Sequence, residues 1–445
     1  MNEENILELI EGKKYKQLKV ILSEMNEVDI AEILDPLDIN TTLLLFRMLP
    51  KDLAVEVFAH FSIDQQMDII NAITDKELNY ILDELFFDDM IDMIEEMPAN
   101  IVSKILENST HEERRLINQF LKYPPDSAGS LMTIEYVELR KDMTVKDALL
   151  HIKEIGLSKE TIYTCYVTDK KRTLLGIISL RKLVVSDENL VIGDIMEEEV
   201  IYAHTHDDQE SVTSIIKKYG FIALPVVDNE HRLTGIITVD DVIDVIEQET
   251  TEDFQIMAAM SPSEDAYLDT KIVDLAKQRI TWLLILMVIA TFTGQIISKF
   301  DELLEVAVVL ATFMPMLMNT GGNAGSQAAT LIIRGLATGE ISTSDAMKVL
   351  WKEFRVSVLV AFTLAIINFI RLMTLEKVGL PVALTVSLTL IVTITVAKMA
   401  GSLLPLLAKK LKLDPAIMAG PLISTAVDAV TLTVYFSIAS KLLGI

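Results

Sequence analysis

The last long apolar segment of the chain, "AGPLISTAVDAVTLTVYF", carries one acidic residue, Asp428. A carboxylate at the centre of a membrane-spanning helix costs about 2.5–3.5 kcal/mol on insertion scales, so it marks an ion pathway or a buried ion pair. Ser424, Thr425 and Thr431 supply nearby hydroxyl groups, and the segment contains no Cys or His. Such an oxygen-only set favours a hard cation such as Mg2+. The alternative is a structural ion pair with Lys398 in the preceding apolar segment.

A second polar stretch, "MNTGGNAGSQ", begins at Met318 between two strongly apolar runs. Irregular backbone is tolerated at membrane depth where it lines a water-filled cavity or is buried in protein. Broken helices of this kind mark ion sites in transporters, which makes Asn323 and Gln327 candidate pore-lining residues. Two alternatives remain open. The stretch could be a loop between two shorter helices, or its three glycines could allow close helix packing.

The charge of the chain is distributed unevenly. The formal net charge of −26 divides into −31 before Lys277 and +5 from Lys277 onward. A strongly acidic module repels nucleic acid, because phosphate binding requires Lys and Arg surfaces. The same module stores self-repulsion that divalent cations would relieve.

Two acidic runs stand out within that module. The first lies near residue 90 and the second follows residue 239; their members are Asp83, Glu84, Asp88, Asp89, Asp92, Glu95 and Glu96, and Asp240, Asp241, Asp244, Glu247, Glu249, Glu252 and Asp253. A charge run is most often a solvated face. With an imbalance this large, weak bridging of facing acidic surfaces by divalent ions is a competing interpretation.

The chain divides into four regions by pattern. Residues 1–122 show apolar positions at helical spacing, and "MLPKDLAVEVF" echoes "EMPANIVSKIL" in an alignment that places Pro50 on Pro98. This pattern predicts a short solenoid of stacked helices. Residues 251–278 are polar and predict a connecting helix. Residues 279–445 contain five apolar segments long enough to span a membrane, or nearly so, of which the second runs from Leu303 to Leu317 with a broken continuation to Ile333. The predicted fold class is mostly α-helical.

The region 123–250 contains an internal repeat. "YTCYVTDKKRTLLGIISLRKL" aligns without a gap on "IALPVVDNEHRLTGIITVDDV", which places Gly176 on Gly235. Each copy predicts strand, turn, strand and helix. The repeat resembles a pair of CBS domains, an α/β regulatory module that often binds adenine nucleotides. The sequence "HTHDD" that starts at His204 is more typical of a turn than of a metal site, because no second ligand pair accompanies it.

Lys and Arg near the ends of the apolar segments indicate their orientation. With the N-terminal regions in the cytosol, the inner loops hold more Lys and Arg than the outer loops, as the positive-inside rule requires. The start of the chain lacks the basic and apolar regions of a signal peptide, and the single Cys165 suits a reducing compartment. Five spans then place the C-terminus outside.

Over almost its full length the chain resembles the MgtE family of magnesium channels and transporters. The order of the regions carries the resemblance, together with "YPPDSAG" ahead of the CBS pair, "GGNAGSQ" in the second span and the pattern from Pro421 to Asp428 in the last. The resemblance implies a non-enzymatic, homodimeric Mg2+ channel in the bacterial inner membrane. It further implies that Asp428 is the selectivity carboxylate and that the connecting helix is a gating plug.

The resemblance also implies that cytosolic Mg2+ binds between the acidic domains and closes the pore. The residues that match this regulatory role are Asp88, Asp89, Asp241, Asp244, Glu249, Glu252 and Asp253. CBS pairs of this family can bind ATP, for which Thr238, Asp241 and Phe221 are the candidates. In the first repeat Lys182 replaces the acid, so we expect at most one ATP site per chain.

Two other functions compete with the channel. A gradient-coupled carrier or exporter of divalent cations such as Co2+ or Mn2+ would keep the same fold but would need a proton or sodium gradient. A nucleotide-sensing membrane scaffold without transport would leave Asp428 and the polar second span without a role. No nucleophile elbow, phosphate-binding loop or zinc-protease motif is present, so the sequence predicts no enzyme.

Overall fold

The computed structural model describes residues 6, 8–10, 12–263, 267–268 and 270–444. The chain forms two compact units, Met1–Ile246 and Glu247–Ile445. Most described residues are helical, and the only sheets among them are two small ones in the first unit. The mostly helical fold class predicted from the sequence is confirmed.

The first unit begins with a solenoid of short helices whose first residues recur at a constant spacing. These helices are α1 (Tyr15–Leu22), α2 (Glu27–Leu34), α3 (Ile39–Phe46), α4 (Lys51–Ala59), α5 (Ile63–Ala72), α6 (Asp75–Glu84), α7 (Phe87–Glu96), α8 (Ala99–Asn108) and α9 (His111–Phe120). Pro50 precedes α4 and Pro98 precedes α8, so the echo seen in the sequence joins the fourth helix to the eighth.

Capping residues precede several helices of the solenoid and follow the same spacing as the helix starts. The side chains of Asn26, Asp38 and Ser62 accept hydrogen bonds from the first turns of their helices. Thr74 and Thr110 go further and form capping boxes with Glu77 and Glu113. Because each cap satisfies backbone N–H groups that have no partner inside the helix, it fixes where the next helix starts.

The "YPPDSAG" motif joins the solenoid to the second CBS repeat. The carbonyl of Asp126 accepts a hydrogen bond from the N–H of Gln209, at 2.9 Å, and the N–H of Gly129 donates to the carbonyl of Thr205, also at 2.9 Å. A β-carbon at Gly129 would lie 2.7 Å from that carbonyl oxygen and 2.6 Å from the ring of Tyr123. Only glycine fits this contact, so the motif serves as a junction within the unit.

The CBS pair follows with two sheets of identical topology. The first contains β1 (Tyr136–Arg140), β2 (Thr161–Thr168) and β3 (Leu174–Ser179); the second contains β4 (Ala203–His204), β5 (Ala223–Val227) and β6 (Leu233–Thr238). In each sheet the first two strands are parallel and the last two antiparallel. Strands β3 and β6 start at positions that the sequence alignment pairs, which confirms the repeat.

Short helices complete the CBS pair. They are α10 (Ala128–Leu131), α11 (Val145–Ile155), α12 (Leu180–Val185), α13 (Ile192–Ile195) and α14 (Gln209–Tyr219). Asp208 caps α14 and Asp207 accepts a hydrogen bond from the N–H of His204 at 2.8 Å, so the "HTHDD" sequence is a capped turn.

The connecting region differs from the prediction of one helix over 251–278. Helix α15 (Val239–Met257) starts directly after β6, and the described residues between Ala258 and Lys271 are not helical. Ala259 adopts a left-handed backbone, with φ of 55°, just after the helix ends. The acidic positions from Asp240 to Asp253 therefore share one helix with the end of the second CBS repeat.

The second unit contains the apolar helices. They are α16 (Ile272–Ser298), the short α17 (Asp301–Val306), α18 (Met314–Ala337), α19 (Ala346–Arg371), α20 (Leu380–Lys410) and α21 (Gly420–Leu443). Among the described residues, four helical stretches have the length and hydropathy of a membrane span, and these contain α16, α19, α20 and α21. Helix α18 is as long as α21, so it has the length of a fifth span.

The structure differs from the prediction for the second membrane span. The predicted apolar segment from Leu303 to Leu317 is divided between α17, a 3-10 turn at Val308–Phe313 and the start of α18. The "MNTGGNAGSQ" stretch lies in the middle of α18, which is unbroken. The helix tolerates these glycines because neighbouring helices pack directly on them, which is the close-packing alternative left open by the sequence.

Candidate functional site

An acidic cluster forms where the solenoid meets the CBS pair in the first unit. Asp88 lies in the first turn of α7, Asp241 in the first turn of α15, and Glu160 immediately before β2. All three side chains are half-buried. The charges of Asp241 and Glu160 act on Asp88, and that of Asp241 also acts on Glu160. The structure thus brings together two predicted residues and one, Glu160, that the sequence did not single out.

Burial and mutual repulsion perturb these carboxylates strongly. Burial, reinforced by Asp241, Asp89 and Glu160, raises the pKa of Asp88 to about 9. Burial and the charges on Asp240 and Asp241 raise the pKa of Glu160 to about 7. Such shifts mean that the folded protein disfavours the charged forms unless a cation neutralises them.

The cluster offers oxygen atoms that suit Mg2+. The Oδ1 atom of Asp88 is buried and has no hydrogen-bond partner among the described residues. Across the described part of the chain, no three carboxylate, His or Cys side chains are close enough to hold one metal ion directly. Mg2+ keeps several of its waters in most protein sites, so this donor set fits a hydrated ion held through water.

The remaining predicted regulatory residues lie on the same cluster or along α15. Asp89 is exposed, next to Asp88 in the first turn of α7. Asp244 and Glu252 are exposed on α15, whereas Glu249 and Asp253 are half-buried there. The second unit begins at Glu247, so the last two turns of α15 and their acidic side chains belong to it.

The predicted nucleotide residues lie at the end of β6 and nearby. Thr238 is buried, and its hydroxyl donates a hydrogen bond to Oδ2 of Asp241 at 2.7 Å. Phe221 is half-buried and stacks on Tyr219, with ring centroids 5.4 Å apart. In the first repeat Ser179 occupies the place of Thr238, and its hydroxyl caps the backbone N–H of Lys182. The two repeats therefore differ at this point.

In the second unit, α18 presents a stripe of polar side chains. Asn319, Asn323 and Gln327 recur at helical spacing, so they lie on one face of the helix, and all three are exposed. We call these three residues the polar stripe. Amide side chains at membrane depth do not face lipid, because hydrocarbon offers them no hydrogen-bond partner. The polar stripe must therefore face water or another protein surface.

The opposite face of α18 packs on α20 and α21 through glycine. A β-carbon at Gly321 would lie 2.6 Å from Thr393 on α20 and 2.8 Å from Val427 on α21. A β-carbon at Gly322 would lie 2.9 Å from the hydroxyl of Ser424. These contacts fix the rotation of α18, and with it the direction of the polar stripe.

Asp428 follows Val427 on α21 and is half-buried. It has neither a hydrogen bond nor an ion pair among the described residues. The alternative pairing with Lys398 is wrong, because the Lys398 ammonium lies 4.0 Å from Oε2 of Glu353 on α19. A carboxylate at this depth without a protein partner is available to an ion.

The other candidate pore residues differ in exposure. Ser424 and Thr425 are half-buried, and Thr425 donates its hydroxyl hydrogen to the carbonyl of Pro421. Thr431 is only 1% exposed and lies against Gly321, so the structure makes it a packing residue between α21 and α18. Thr431 is therefore not on an exposed surface of the chain, where a pore-lining residue was expected.

Comparison with known proteins decides the family. Three family models match in succession: the MgtE intracellular N domain at residues 25–126, the CBS domain at 128–187 and 192–248, and the MgtE divalent cation transporter domain at 314–438. The magnesium transporter MgtE of Thermus thermophilus is 36% identical over 99% of this chain and 98% of its own length. The chain belongs to the MgtE family of magnesium transporters.

Further MgtE relatives agree. The magnesium transporter MgtE of Bacillus subtilis is 31% identical over 98% of this chain and 96% of its own length. A crystal structure described as the cytosolic domain of the Mg2+ channel MgtE in complex with ATP is 35% identical, with a TM-score of 0.52. It matches 55% of this MgtE chain and all of its own. The family resemblance and the CBS pair are thereby confirmed.

Proposed function

We propose that this MgtE protein is a homodimeric Mg2+ channel for magnesium uptake, which cytosolic Mg2+ closes. The observation that carries the proposal is the unpaired, half-buried Asp428 on α21, a helix that packs directly on α18, whose exposed face carries the polar stripe. Two copies of each around a common axis would give a water-filled path with a pair of carboxylates. Such a pair can attract a hydrated divalent ion without removing its water, which Mg2+ releases reluctantly.

The proposed gate is α15. This helix holds Asp241 in its first turn, and its last residues, Ile256 and Met257, pack against the apolar core of the membrane unit. The carbonyl oxygen of Met257 lies 3.6 Å from the position of a β-carbon on Gly420, the first residue of α21. One helix thus connects the regulatory carboxylates to the helix that bears Asp428.

The direction of control follows from electrostatics. At low cytosolic Mg2+ the carboxylates of Asp88, Glu160 and Asp241 repel one another, which favours separation of the domains and release of α15. At higher concentration hydrated ions neutralise them and favour the closed state. Complete switching needs about 5.5 kcal/mol of differential binding, which several weak sites acting on one two-state element can supply together.

We further propose that ATP binds at the second CBS repeat through Thr238, Asp241 and Phe221. The related cytosolic domain that was crystallised in complex with ATP supports a nucleotide site in the region of this chain that it matches. Asp241 belongs to both proposed sites, so nucleotide and Mg2+ are expected to influence each other's binding there.

The test is Mg2+ uptake into proteoliposomes that contain a Mg2+-sensitive dye, with no other ion gradient. Wild type should conduct, and conduction should fall as Mg2+ on the side of the cytosolic domains reaches millimolar concentration. Asp428→Asn should abolish uptake. Glu376→Gln is the matched control, because it removes the same charge from an exposed pair with Arg371 and should leave uptake unchanged.

Three results would contradict the proposal. Wild-type uptake that appears only with a proton or sodium gradient would favour the coupled carrier, and preference for Co2+ or Mn2+ would favour another divalent cargo. Unchanged uptake by the Asp428→Asn variant would show that the carboxylate does not act in the ion pathway.

A further inference from the structure

Glu353 and Lys398 form an enclosed ion pair between α19 and α20, in which the ammonium lies 4.0 Å from Oε2 of Glu353 and that buried oxygen accepts no hydrogen bond from the described residues. The Glu353 side chain is 12% exposed and the Lys398 side chain 8%. By contrast, the Arg371–Glu376 pair at the other end of α19 is 41% and 38% exposed. The Lys398 side chain therefore does not extend to the membrane surface, as lysine in a spanning helix usually does. It stays inside the protein and faces Glu353.

The surroundings of the pair are closely packed. On α19, Val349 and Ser357 lie one turn to either side of Glu353 and are buried. On α20, Ile394 and Ser402 lie one turn to either side of Lys398 and are buried completely. In such surroundings an unpaired charge is strongly destabilising, because burial removes most of its solvation by water.

Helix α20 also packs on α18 through the residues adjacent to Lys398. A β-carbon at Gly325 of α18 would lie 3.2 Å from the carbonyl oxygen of Ala397, and Thr393 packs on Gly321. Adjacent helical residues point about 100° apart. The ion pair thus holds one flank of α20 while the glycine contacts hold the next, so α20 cannot rotate away from Glu353 without disturbing α18.

We propose that Glu353 and Lys398 are positioning residues for the pore. Their attraction fixes the rotation of α20, the glycine contacts transmit that rotation to α18, and α18 directs the polar stripe. The proposal rests on the proposed function, in which the polar stripe lines the ion path. Neither charge needs to touch the permeating ion for this role.

The experiment is a double-mutant cycle in the full-length protein, with Glu353→Gln, Lys398→Met, both together, and the charge swap Glu353→Lys with Lys398→Glu. Two properties are measured on folded protein recovered by size-exclusion chromatography: the midpoint of thermal unfolding, and Mg2+ uptake together with its ratio to Ca2+ uptake. Lys348→Met is the control, since Lys348 pairs with Asp345 at 2.8 Å while 85% of its side chain is exposed.

We expect each single variant to lower uptake per folded protein by about tenfold or more and to change the Mg2+ to Ca2+ ratio, because the remaining charge is uncompensated. The charge swap should recover most of the uptake and the wild-type ratio, and Lys348→Met should behave as wild type. The conservative variants Glu353→Asp and Lys398→Arg keep the proposal testable if a single neutral variant fails to fold, since both should retain the ratio.

Three outcomes would overturn the inference. The first is wild-type uptake and selectivity in both single variants. The second is a charge swap that performs no better than they do. A purely structural pair would lower the yield and the unfolding midpoint but leave the ion ratio of the folded protein unchanged, and this outcome also counts against positioning. Failure of the wild type to transport contradicts the channel instead, and the thermal cycle then still reports whether the two charges are coupled.

Discussion

Gly401 on α20 lies against the carbonyl oxygen of Gly325 on α18, so closely that a β-carbon would collide with it. Gly325 itself has no room for a side chain, because Ile423 of α21 lies 2.5 Å from the position of its β-carbon. Three helices of the membrane unit therefore meet at one point, α18 and α20 through backbone and α21 through the side chain of Ile423. Interfaces of this kind gain their stability from close van der Waals contact, since lipid is as apolar as the side chains.

The first prediction concerns this contact. Gly401→Ala should separate α18 from α20, lower the thermal stability of the full-length protein and reduce Mg2+ uptake, because overpacking of a dense interface costs about 1–3 kcal/mol. Gly294→Ala is the control: Gly294 is also in a membrane helix, α16, but a β-carbon there meets nothing within 4 Å. Equal behaviour of the two variants would contradict the close packing.

A second prediction concerns pH. Burial and like charges raise the pKa of Asp88 to about 9, of Glu160 to about 7 and of Asp241 to about 6. Carboxylates with a raised pKa bind more protons when folded than when unfolded, so they destabilise the fold as pH rises from about 4 to about 9. Without divalent cations, tryptic cleavage of the cytosolic part of the full chain should be faster at pH 8 than at pH 6.

Mg2+ and Asp88→Asn provide the tests of that cause. Mg2+ should protect most at pH 8, where the carboxylates are more fully ionised and attract it. Asp88→Asn should lessen the difference in cleavage rate between pH 6 and pH 8, after correction for the activity of trypsin on an unfolded substrate. If Asp88→Asn leaves the difference in cleavage rate unchanged, other titratable groups cause the pH dependence.

A third prediction concerns the nucleotide. Thr238→Val removes the hydroxyl that hydrogen-bonds to Asp241 and should weaken ATP binding to the full-length protein by about tenfold, in line with loss of a hydrogen bond to a charged group. Ser179→Ala makes the equivalent change in the first repeat and should leave ATP affinity unchanged. Isothermal titration with ATP distinguishes the two; equal losses would place the nucleotide between the repeats or in both.

A fourth prediction concerns the polar stripe. Asn323→Leu should lower Mg2+ uptake severalfold while the protein still folds, because the side chain is exposed and its contact with Asn319, at 3.4 Å, is weak. Leu359→Ala is the control, since Leu359 is an apolar residue on another helix, α19, and is 72% exposed. If Asn323→Leu leaves Mg2+ uptake unchanged, this face of α18 does not line the ion path.

Several structural features could have been read from the sequence but were not. The capping positions Asn26, Asp38, Ser62, Thr74 and Thr110 recur at multiples of one constant spacing, which is a local signal for the solenoid. The sequence pattern instead showed only the echo between Pro50 and Pro98. The early start of α15 at Val239 was also missed, because a helix that follows a strand without a break gives no composition change.

The sequence by itself determined the order of the regions, the tandem CBS repeat and the lone intramembrane carboxylate Asp428. These are local or periodic properties, since helix caps, strand alternation and the cost of a charge in lipid all act over neighbouring residues. Through the family resemblance it also assigned Asp88 and Asp241 to one regulatory role, whereas their mutual proximity and burial come from the structure.

Only the tertiary structure decided which distant side chains meet. It added Glu160 to the acidic cluster, paired Lys398 with Glu353 and kept α18 continuous through its glycines. Each outcome depends on packing between segments far apart in the chain, where burial sets the cost of every unpaired charge and every missing contact. A glycine-rich polar stretch is compatible with a broken helix or a packed one, and the presence of α20 and α21 against it selects the second.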